Sequence, residues 1–275
     1  MGIVNLTPDS FFKESRIKNI NDFKKKVAYF NELNVDLIDV GGESTRPGSI
    51  KISEKDEYLR IKKYLTCLSN LNLNIKTSLD SRNYETIKKC LNLRLSMIND
   101  ISGLSDHRLI KLINQNKICV VIMHMQNHPE NMQMNPNYNF APIDIYEYFK
   151  NKIDVLTKLG INSSQIIIDP GFGFGKNLNH NLSLMKYLPI FHSFGLPILV
   201  GLSRKSLIKE ISKLKFAGKG ALNSPFSPKD RLCGSLSLEL NAYNKGVQII
   251  RSHDIFNTMQ SVYCSEEVDI NNAKV

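Results

Sequence analysis

The sequence of 275 residues has no stretch of about 18 uncharged apolar residues, so no helix is expected to span a bilayer. It has no basic start followed by an apolar run. Met1-Gly2-Ile3-Val4-Asn5 opens directly on what reads as a strand, which argues against a secretion signal and against an acylated free end. The five cysteines, Cys67, Cys90, Cys119, Cys233 and Cys264, are scattered and never spaced C-x-x-C. That excludes a disulfide scaffold and a zinc knuckle and suits a reducing, cytoplasmic setting. Low-complexity tracts, linkers and internal shifts of composition are also missing, so residues 1–275 read as one domain. Basic residues are not interleaved with aromatics in any stripe, so nucleic acid is not an expected partner, and neither is a membrane.

What the sequence does have is apolar mass for one large core, with 42% hydrophobic and 23% charged residues. The net charge of +10 reads first as a lysine-rich solvated surface, as in Lys24-Lys25-Lys26 and Lys62-Lys63. Attraction of an anionic ligand is the second reading.

Short runs rich in Ile, Val and Leu recur at residues 2–5, 35–40, 75–79, 96–98, 118–123, 166–168, 198–200 and 247–250. Their continuous apolar character fits parallel strands buried on both faces. Amphipathic patterns lie between them. Tyr58, Ile61, Leu65 and Leu68 share one helical face, as do Ile145, Phe149, Ile153 and Leu156. Ser53, three residues before Asp56, resembles a capping box at a helix start. Eight such units predict an α/β fold, a (β/α)8 TIM barrel, with the active site at the C-terminal rim of the strands.

Every run closes on polar residues: Asn5, Gly41-Gly42-Glu43, Asp80, Asn99-Asp100, His124, Asp169, Ser203-Arg204-Lys205, and Arg251 with His253. Any one of them is readily a cap or turn former. Eight in a row point to a ring of functional side chains, because all strand ends of a parallel barrel converge on one face.

Three segments carry candidate chemistry. The first, Asp169-Pro-Gly-Phe-Gly-Phe-Gly-Lys176, has neither Walker nor dinucleotide spacing. It reads as a flexible loop with two exposed phenylalanines over a flat ligand, and Asp169 could accept two parallel hydrogen bonds from an amino-pyrimidine edge. In Gly201-Leu-Ser-Arg-Lys-Ser206, a helix start beside Lys205 and Ser206 forms an anion seat. Gly41-Gly-Glu-Ser-Thr-Arg-Pro-Gly48 suits a mobile loop that brings Thr45 and Arg46 over a negatively charged group. Arg251-Ser-His-Asp254 adds two more donors.

Together with residues 1–11, Ser78-Leu-Asp80, Ile98-Asn-Asp100 and Met123-His-Met125, these motifs occur in the order found in dihydropteroate synthases. The chain resembles that family from residue 1 to about 254. The resemblance implies a transferase of folate biosynthesis that joins a dihydropterin methyl pyrophosphate to p-aminobenzoate, releasing pyrophosphate, and is a target of sulfonamides. It implies a pterin slot of Asp80, Asn99, Asp169 and Lys205, with Met123 packed on the ring and Arg251 stacked on its exposed face. Asn5, Thr45, Arg251 and His253 would hold the pyrophosphate, with Mg2+ bridging to Asn5. Thr45, Arg46, Phe174 and Ser206 would define the p-aminobenzoate site. Asp80, Asp169 and Lys205 would carry catalysis, through ionisation of the C–O bond before the amine attacks. A homodimer is left open.

Three departures from the family pattern stand out. Family members usually carry residues ahead of the first motif, so strand one is expected to be less protected than the others. Ser81 stands where threonine is frequent, and residues 216–228 look long for their position. Two rival readings are a pterin-binding methyltransferase barrel and a pterin-binding protein without turnover.

Overall fold

The computed structural model describes residues 1–7, 17–45, 48–216 and 227–272, with side chains to residue 268. Strands and helices alternate: β1 (Gly2–Asn5), α1 (Ile20–Glu32), β2 (Leu37–Gly41), α2 (Glu54–Ser69), β3 (Lys76–Asp80), α3 (Tyr84–Cys90), β4 (Leu95–Asp100) and α4 (His107–Asn116). They continue as β5 (Cys119–Met123), α5 (Ala141–Lys158), β6 (Ile166–Asp169), α6 (Leu178–Lys186), β7 (Leu199–Val200), α7 (Ser206–Phe216), α8 (Leu232–Tyr243), β8 (Ile249–Ile250) and α9 (Ile255–Asn272). Strands β1 to β6 form one parallel sheet in chain order, and β7 pairs with β8. Parallel bridges between Ile168 and Ile198 and between Gly2 and Ser252 join the two sheets at both edges and close the barrel.

All eight predicted strands are present, and their lengths differ for a physical reason. The last two shrink to two residues each: on the flank facing β6 Pro197 cannot donate to the ladder and only accepts from the Ile168 N–H at 3.0 Å, and on the flank facing β8 the Ile198 N–H goes to the Gln248 side chain at 2.8 Å. The expected weakness of β1 is not found. It pairs with β2 along its whole length, and on its other flank Ile3 N–H reaches the Ser252 carbonyl at 3.1 Å and Ser252 N–H the Met1 carbonyl at 3.0 Å. Closure supplies the partner that an edge strand would lack.

Alternation along each strand divides the apolar residues into two cores. Outward residues such as Val4, Ile38, Val40, Leu79, Ile98, Val120, Ile122, Ile168 and Val200 pack under the helices in one continuous core. Inward residues Met97, Val121, Ile167 and Leu199 form a separate plug inside the barrel. The helices present the predicted faces: Ile61, Leu65 and Leu68 of α2 and Ile145, Phe149 and Leu156 of α5 are buried. At α2 half of the expected capping box forms. Ser53 Oγ accepts from Asp56 N–H at 3.1 Å, while the Asp56 carboxylate turns back to the Ser53 hydroxyl at 2.6 Å. Lys24, Lys25, Lys62 and Lys63 are exposed on α1 and α2, in line with the solvated-surface reading of the charge. Among the described residues no helix is long and apolar enough to cross a membrane.

Because β1 is bonded on both flanks and Val4 is fully buried, its amides are expected to exchange within about tenfold of those of Ile167 and Ile168. Hydrogen exchange followed residue by residue checks this, and rapid exchange confined to Ile3 and Val4 would refute it.

Candidate active site

The same alternation that plugs the barrel builds its mouth. One step beyond the plug, the last inward position of each strand is Asn5, Gly41, Asp80, Asn99, Met123, Asp169, Gly201 and Arg251. Register aligns Asn5 with Gly41, Gly41 with Asp80, and Asp80 with Asn99 across four adjacent strands, and aligns Met123 with Asp169. A cavity of about 250 Å³ opens above this layer. Asn5, Thr45, Asp80, Asn99, Met123, Asp169, Phe174, Lys205, Ser206, Arg251 and His253 all line it. Every predicted site residue is therefore brought to one place except Arg46, which lies outside the described residues. The two glycines of the layer leave the room: a Cβ on Gly41 would meet the Asp80 carboxylate at 3.3 Å. Of the other polar residues after the strands, Glu43, Ser203 and Arg204 also line the cavity, whereas Asp100 and His124 do not. The Asp100 carboxylate accepts from Ser102 N–H at 2.7 Å and Leu104 N–H at 3.0 Å, a turn-forming role.

Arg251 crosses the floor of the cavity. Its Nε donates to Asp39 Oδ2 at 2.6 Å and its Nη2 to Asp80 Oδ2 at 2.7 Å, so one guanidinium bridges two carboxylates on β2 and β3. Asn99 Nδ2 donates to the same Asp39 oxygen at 3.1 Å. Burial raises Asp80 well above the usual carboxylate range even with Arg251 beside it, and Asp39, Glu57 and Glu43 push the same way.

The glycine loop differs from its sequence reading. Phe172 is 1% exposed and belongs to the core; only Phe174 reaches the cavity. The loop is also pinned rather than flexible. Lys176 is buried inside it, its Nζ donating to the carbonyls of Gly171 and Phe174 at 2.9 Å and of His124 at 3.3 Å, with His124 Nδ1 at 3.0 Å. The glycines serve this packing: Gly171 has φ +70°, and a Cβ there would fall 2.0 Å from the His124 carbonyl oxygen. His124 is driven down to about 2 by burial and by Lys176, so its imidazole is neutral.

Pinning the loop fixes Asp169, whose Oδ1 accepts from Gly171 N–H at 2.8 Å. Its pKa is raised by burial against the opposing pull of Lys205, the Gly171 hydrogen bond, Lys176 and Arg251. Lys205 reaches over from the end of β7. Its Nζ donates to the Phe172 carbonyl and lies 4.6 Å from the centre of the Phe174 ring. Burial lowers it to about 8, a fall that Asp169 resists. Ser206 opens α7 at the cavity edge, as expected for a helix-start anion seat. His253 Nδ1 lies 3.1 Å from Ser203 Oγ, and burial with nearby Arg251, Lys26, Arg204 and Lys205 lowers it to about 3. Arg204 is occupied structurally, with both edges of a bidentate pair on Asp254 at 2.7 and 2.6 Å.

Sequence reading missed three participants. Asp39 and Lys176 were passed over, as was Glu57, a buried carboxylate that takes Ser81 Oγ at 3.0 Å and Asn83 Nδ2 at 2.9 Å and so shapes the chain just after Asp80. Asp39 did leave a signal, a charge at an inward position of an otherwise apolar strand.

Comparison with known proteins agrees with this geometry. The model of the family described as "Pterin binding enzyme" matches residues 1–253. The chain is 35% identical to the dihydropteroate synthase of Escherichia coli K12, over 95% of its own length and 88% of that protein. It is likewise 35% identical to the dihydropteroate synthase of Neisseria meningitidis serogroup C, over 98% and 93% of the two chains. In structure it is similar to the Yersinia pestis dihydropteroate synthase with a sulfonamide drug complex, with a TM-score of 0.88, 34% identity and 98% and 93% of the two chains covered. For the Xanthomonas albilineans dihydropteroate synthase with 4-aminobenzoic acid the TM-score is 0.83 at 29% identity, covering 98% and 92%. With a family match over most of its length and relatives of this identity and coverage, the chain belongs to the pterin-binding enzymes, among the dihydropteroate synthases.

Proposed function

We propose that this chain is a dihydropteroate synthase, a TIM-barrel transferase of folate biosynthesis. It condenses 6-hydroxymethyl-7,8-dihydropterin pyrophosphate with p-aminobenzoate to give 7,8-dihydropteroate and pyrophosphate. The observation that carries the reading is one cavity lined both by acceptors, Asp80, Asn99 and Asp169, and by donors, Arg251, Lys205 and the start of α7. A pterin offers a donor-rich edge, while pyrophosphate and a benzoate carboxylate are anions. No observation favours the methyltransferase or non-catalytic alternatives. We read residues 1–275 as one cytoplasmic domain acting on small molecules; a homodimer fits this reading.

In this proposal Asp169 pairs with the ring N–H and amino group, Lys205 donates to the ring carbonyl side, and Met123 packs against the ring. Asn5, Thr45, Arg251 and His253 hold the pyrophosphate. Thr45, Arg46, Phe174 and Ser206 define the p-aminobenzoate site, with Ser206 and the α7 start toward its carboxylate. Among the described residues no three His, Cys, Asp or Glu side chains are grouped to hold a metal, so a protein-only cage is not what the site offers. Asn5 supplies one hard oxygen at the cavity wall, which fits Mg2+ that draws its remaining ligands from phosphate and water. When bound there, Mg2+ would neutralise charge on the leaving pyrophosphate. The chain's own part is electrostatic. Arg251 and His253 donate to the departing oxygens, and the Asp80 carboxylate offsets positive charge growing on the pterin as the C–O bond breaks. The arylamine then attacks the carbon and loses its proton to solvent.

The deciding assay incubates the protein with the pterin pyrophosphate, p-aminobenzoate and Mg2+. Dihydropteroate and pyrophosphate are expected in equal amounts, and their absence from a folded sample would overturn the assignment.

If ionisation precedes attack, labelled pyrophosphate should exchange into the pterin substrate without p-aminobenzoate. Asp80→Asn should slow that exchange at least about a hundredfold, the scale on which removal of a group aimed at developing charge is felt. Exchange that strictly requires p-aminobenzoate would count against this order of events.

The pH profile of kcat/KM for the pterin substrate reflects ionisations of the free protein. Asp80 must be ionised and its pKa is raised, so activity should start to fall on acidification well above the ordinary carboxylate range. Lys205 must be protonated and is lowered to about 8, so activity should also fall as pH rises through about 8. A profile flat from pH 8 to about 10, where an unperturbed lysine begins to titrate, would show that no lysine lowered to about 8 governs the reaction.

A further inference from the structure

Asp39 does not line the cavity, yet two residues that do are tied to it. It sits on β2 in register between Ile3 and Ser78, one layer below the ring of strand-end residues. It is fully buried inside the barrel, where the corresponding inward positions of other strands, two residues before the strand-end ring, are Met97, Val121, Ile167 and Leu199. An apolar side chain would satisfy the packing of that layer, and a carboxylate there carries a desolvation penalty. Part of that penalty is not recovered. Oδ2 accepts from both Arg251 Nε and Asn99 Nδ2, whereas Oδ1 is buried without a hydrogen-bond partner among the described residues. A group this poorly satisfied is not explained by stability.

Its effect on the cavity comes from donor and acceptor chemistry. A carboxylate accepts only, so the Asn99 amide must turn its nitrogen toward Asp39, and its oxygen is the atom left for a ligand. The guanidinium of Arg251 is caught in the same way. With Nε held from below by Asp39 and Nη2 by Asp80, its plane is fixed across the floor, and neither carboxylate takes it in a bidentate grip. Were Asp80 drawn to a ligand, the Nε contact would still hold Arg251 in place.

We infer that Asp39 is a positioning residue for the pterin half of the site, orienting Asn99 as an acceptor and holding Arg251 across the floor. The inference rests on the synthase reading for the identity of the ligand. It predicts that loss of the Asp39 charge weakens recognition of the ring and leaves the outer half of the site, around Thr45, Phe174 and Ser206, nearly untouched.

The test is Asp39→Asn, with Asp39→Leu as a second variant that refills the layer with apolar volume. Calorimetry with the pterin pyrophosphate and Mg2+ should show affinity reduced about tenfold or more in both, while KM for p-aminobenzoate stays within about twofold. The Arg251 Nε–H signal in nitrogen-resolved NMR, slow to exchange in the wild type, should exchange rapidly in both variants. The melting temperature should fall little, because Arg251 keeps Asp80 as counter-ion. Pterin affinity within about twofold of wild type in either folded variant would overturn the inference, as would equal weakening of both substrates together with a large fall in melting temperature. Should Asp39→Asn fail to fold, Asp39→Leu decides, and in either variant a slowly exchanging Nε–H would overturn it. A wild-type protein that binds the pterin but makes no dihydropteroate would defeat the synthase reading instead, and the affinity comparison would still decide the role of Asp39.

Discussion

Arg251 lies at the end of the last strand and is paired through the barrel lumen with carboxylates on the second and third strands. Much else in the protein depends on that bridge. It links residues 212 and 171 positions apart, reinforcing from inside the seam where β7 and β8 are shortest. It places two carboxylates and one guanidinium in a largely buried setting, with 11% of the Asp80 side chain exposed, and burial moves the pKa of Asp80 upward more than the guanidinium moves it downward. Breaking a buried pair by deleting one partner commonly costs about 3–5 kcal/mol, because the charge left behind has nowhere to go. Here the redundancy of two carboxylates for one guanidinium softens that cost, and the structure can carry a charged floor without being held hostage to a single contact.

The glycine loop solves a related problem by opposite means. Lys176 is enclosed, and its charge is met by carbonyl dipoles of the loop and of His124. Burial lowers its pKa far below the usual lysine value, with Asp169 opposing and Lys205 assisting the fall. Three carbonyls converging on one ammonium fold the loop back on itself, and positive φ at Gly171, Gly173 and Gly175 makes that curvature accessible. Asp169 inherits its orientation from this knot through the Gly171 N–H. A ligand edge that must be read by two parallel hydrogen bonds needs a carboxylate that does not rotate, and the loop provides it.

Much of this was legible before any coordinates. Short apolar runs with polar residues at every strand end located the eight strands, and the inward–outward alternation of each strand explains why Asn5, Asp80, Asn99, Met123, Asp169 and Arg251 all face one cavity. What was not legible depends on distance along the chain. Asp39 could be seen as a charge within a strand, but its partner is 212 residues away, and pairing of that kind leaves no local pattern. The glycines of residues 171–175 read in sequence as freedom, whereas they mark a fixed, tightly curved backbone organised by the buried Lys176. Phe172 and Phe174 are identical in local context and part only because one faces the core under the helices and the other the mouth. The short β7 goes with Pro197 on one flank and the Gln248 side chain on the other, both visible in sequence but without effect until it is known which flank each faces.

His253 shows how far the same chemistry can be taken. Surrounded by Arg251, Lys26, Arg204 and Lys205, and buried, it is held neutral at physiological pH. It therefore offers an anion a hydrogen bond and not a charge, and which nitrogen carries the proton decides whether it can do so. Ser203 Oγ accepts from the backbone N–H of His253 at 3.2 Å and lies 3.1 Å from its Nδ1. A hydroxyl accepting from that N–H still has its own hydrogen free to donate to Nδ1, and in the tautomer that takes this bond the imidazole proton sits on Nε2. Under the proposed reading, His253 in that tautomer is a neutral donor to the pyrophosphate, oriented by Ser203, and the positive charge facing the leaving group comes from Arg251 within the chain. A second cation at that position would also stabilise the bound substrate, whereas a neutral donor gains most as charge builds on the departing oxygen.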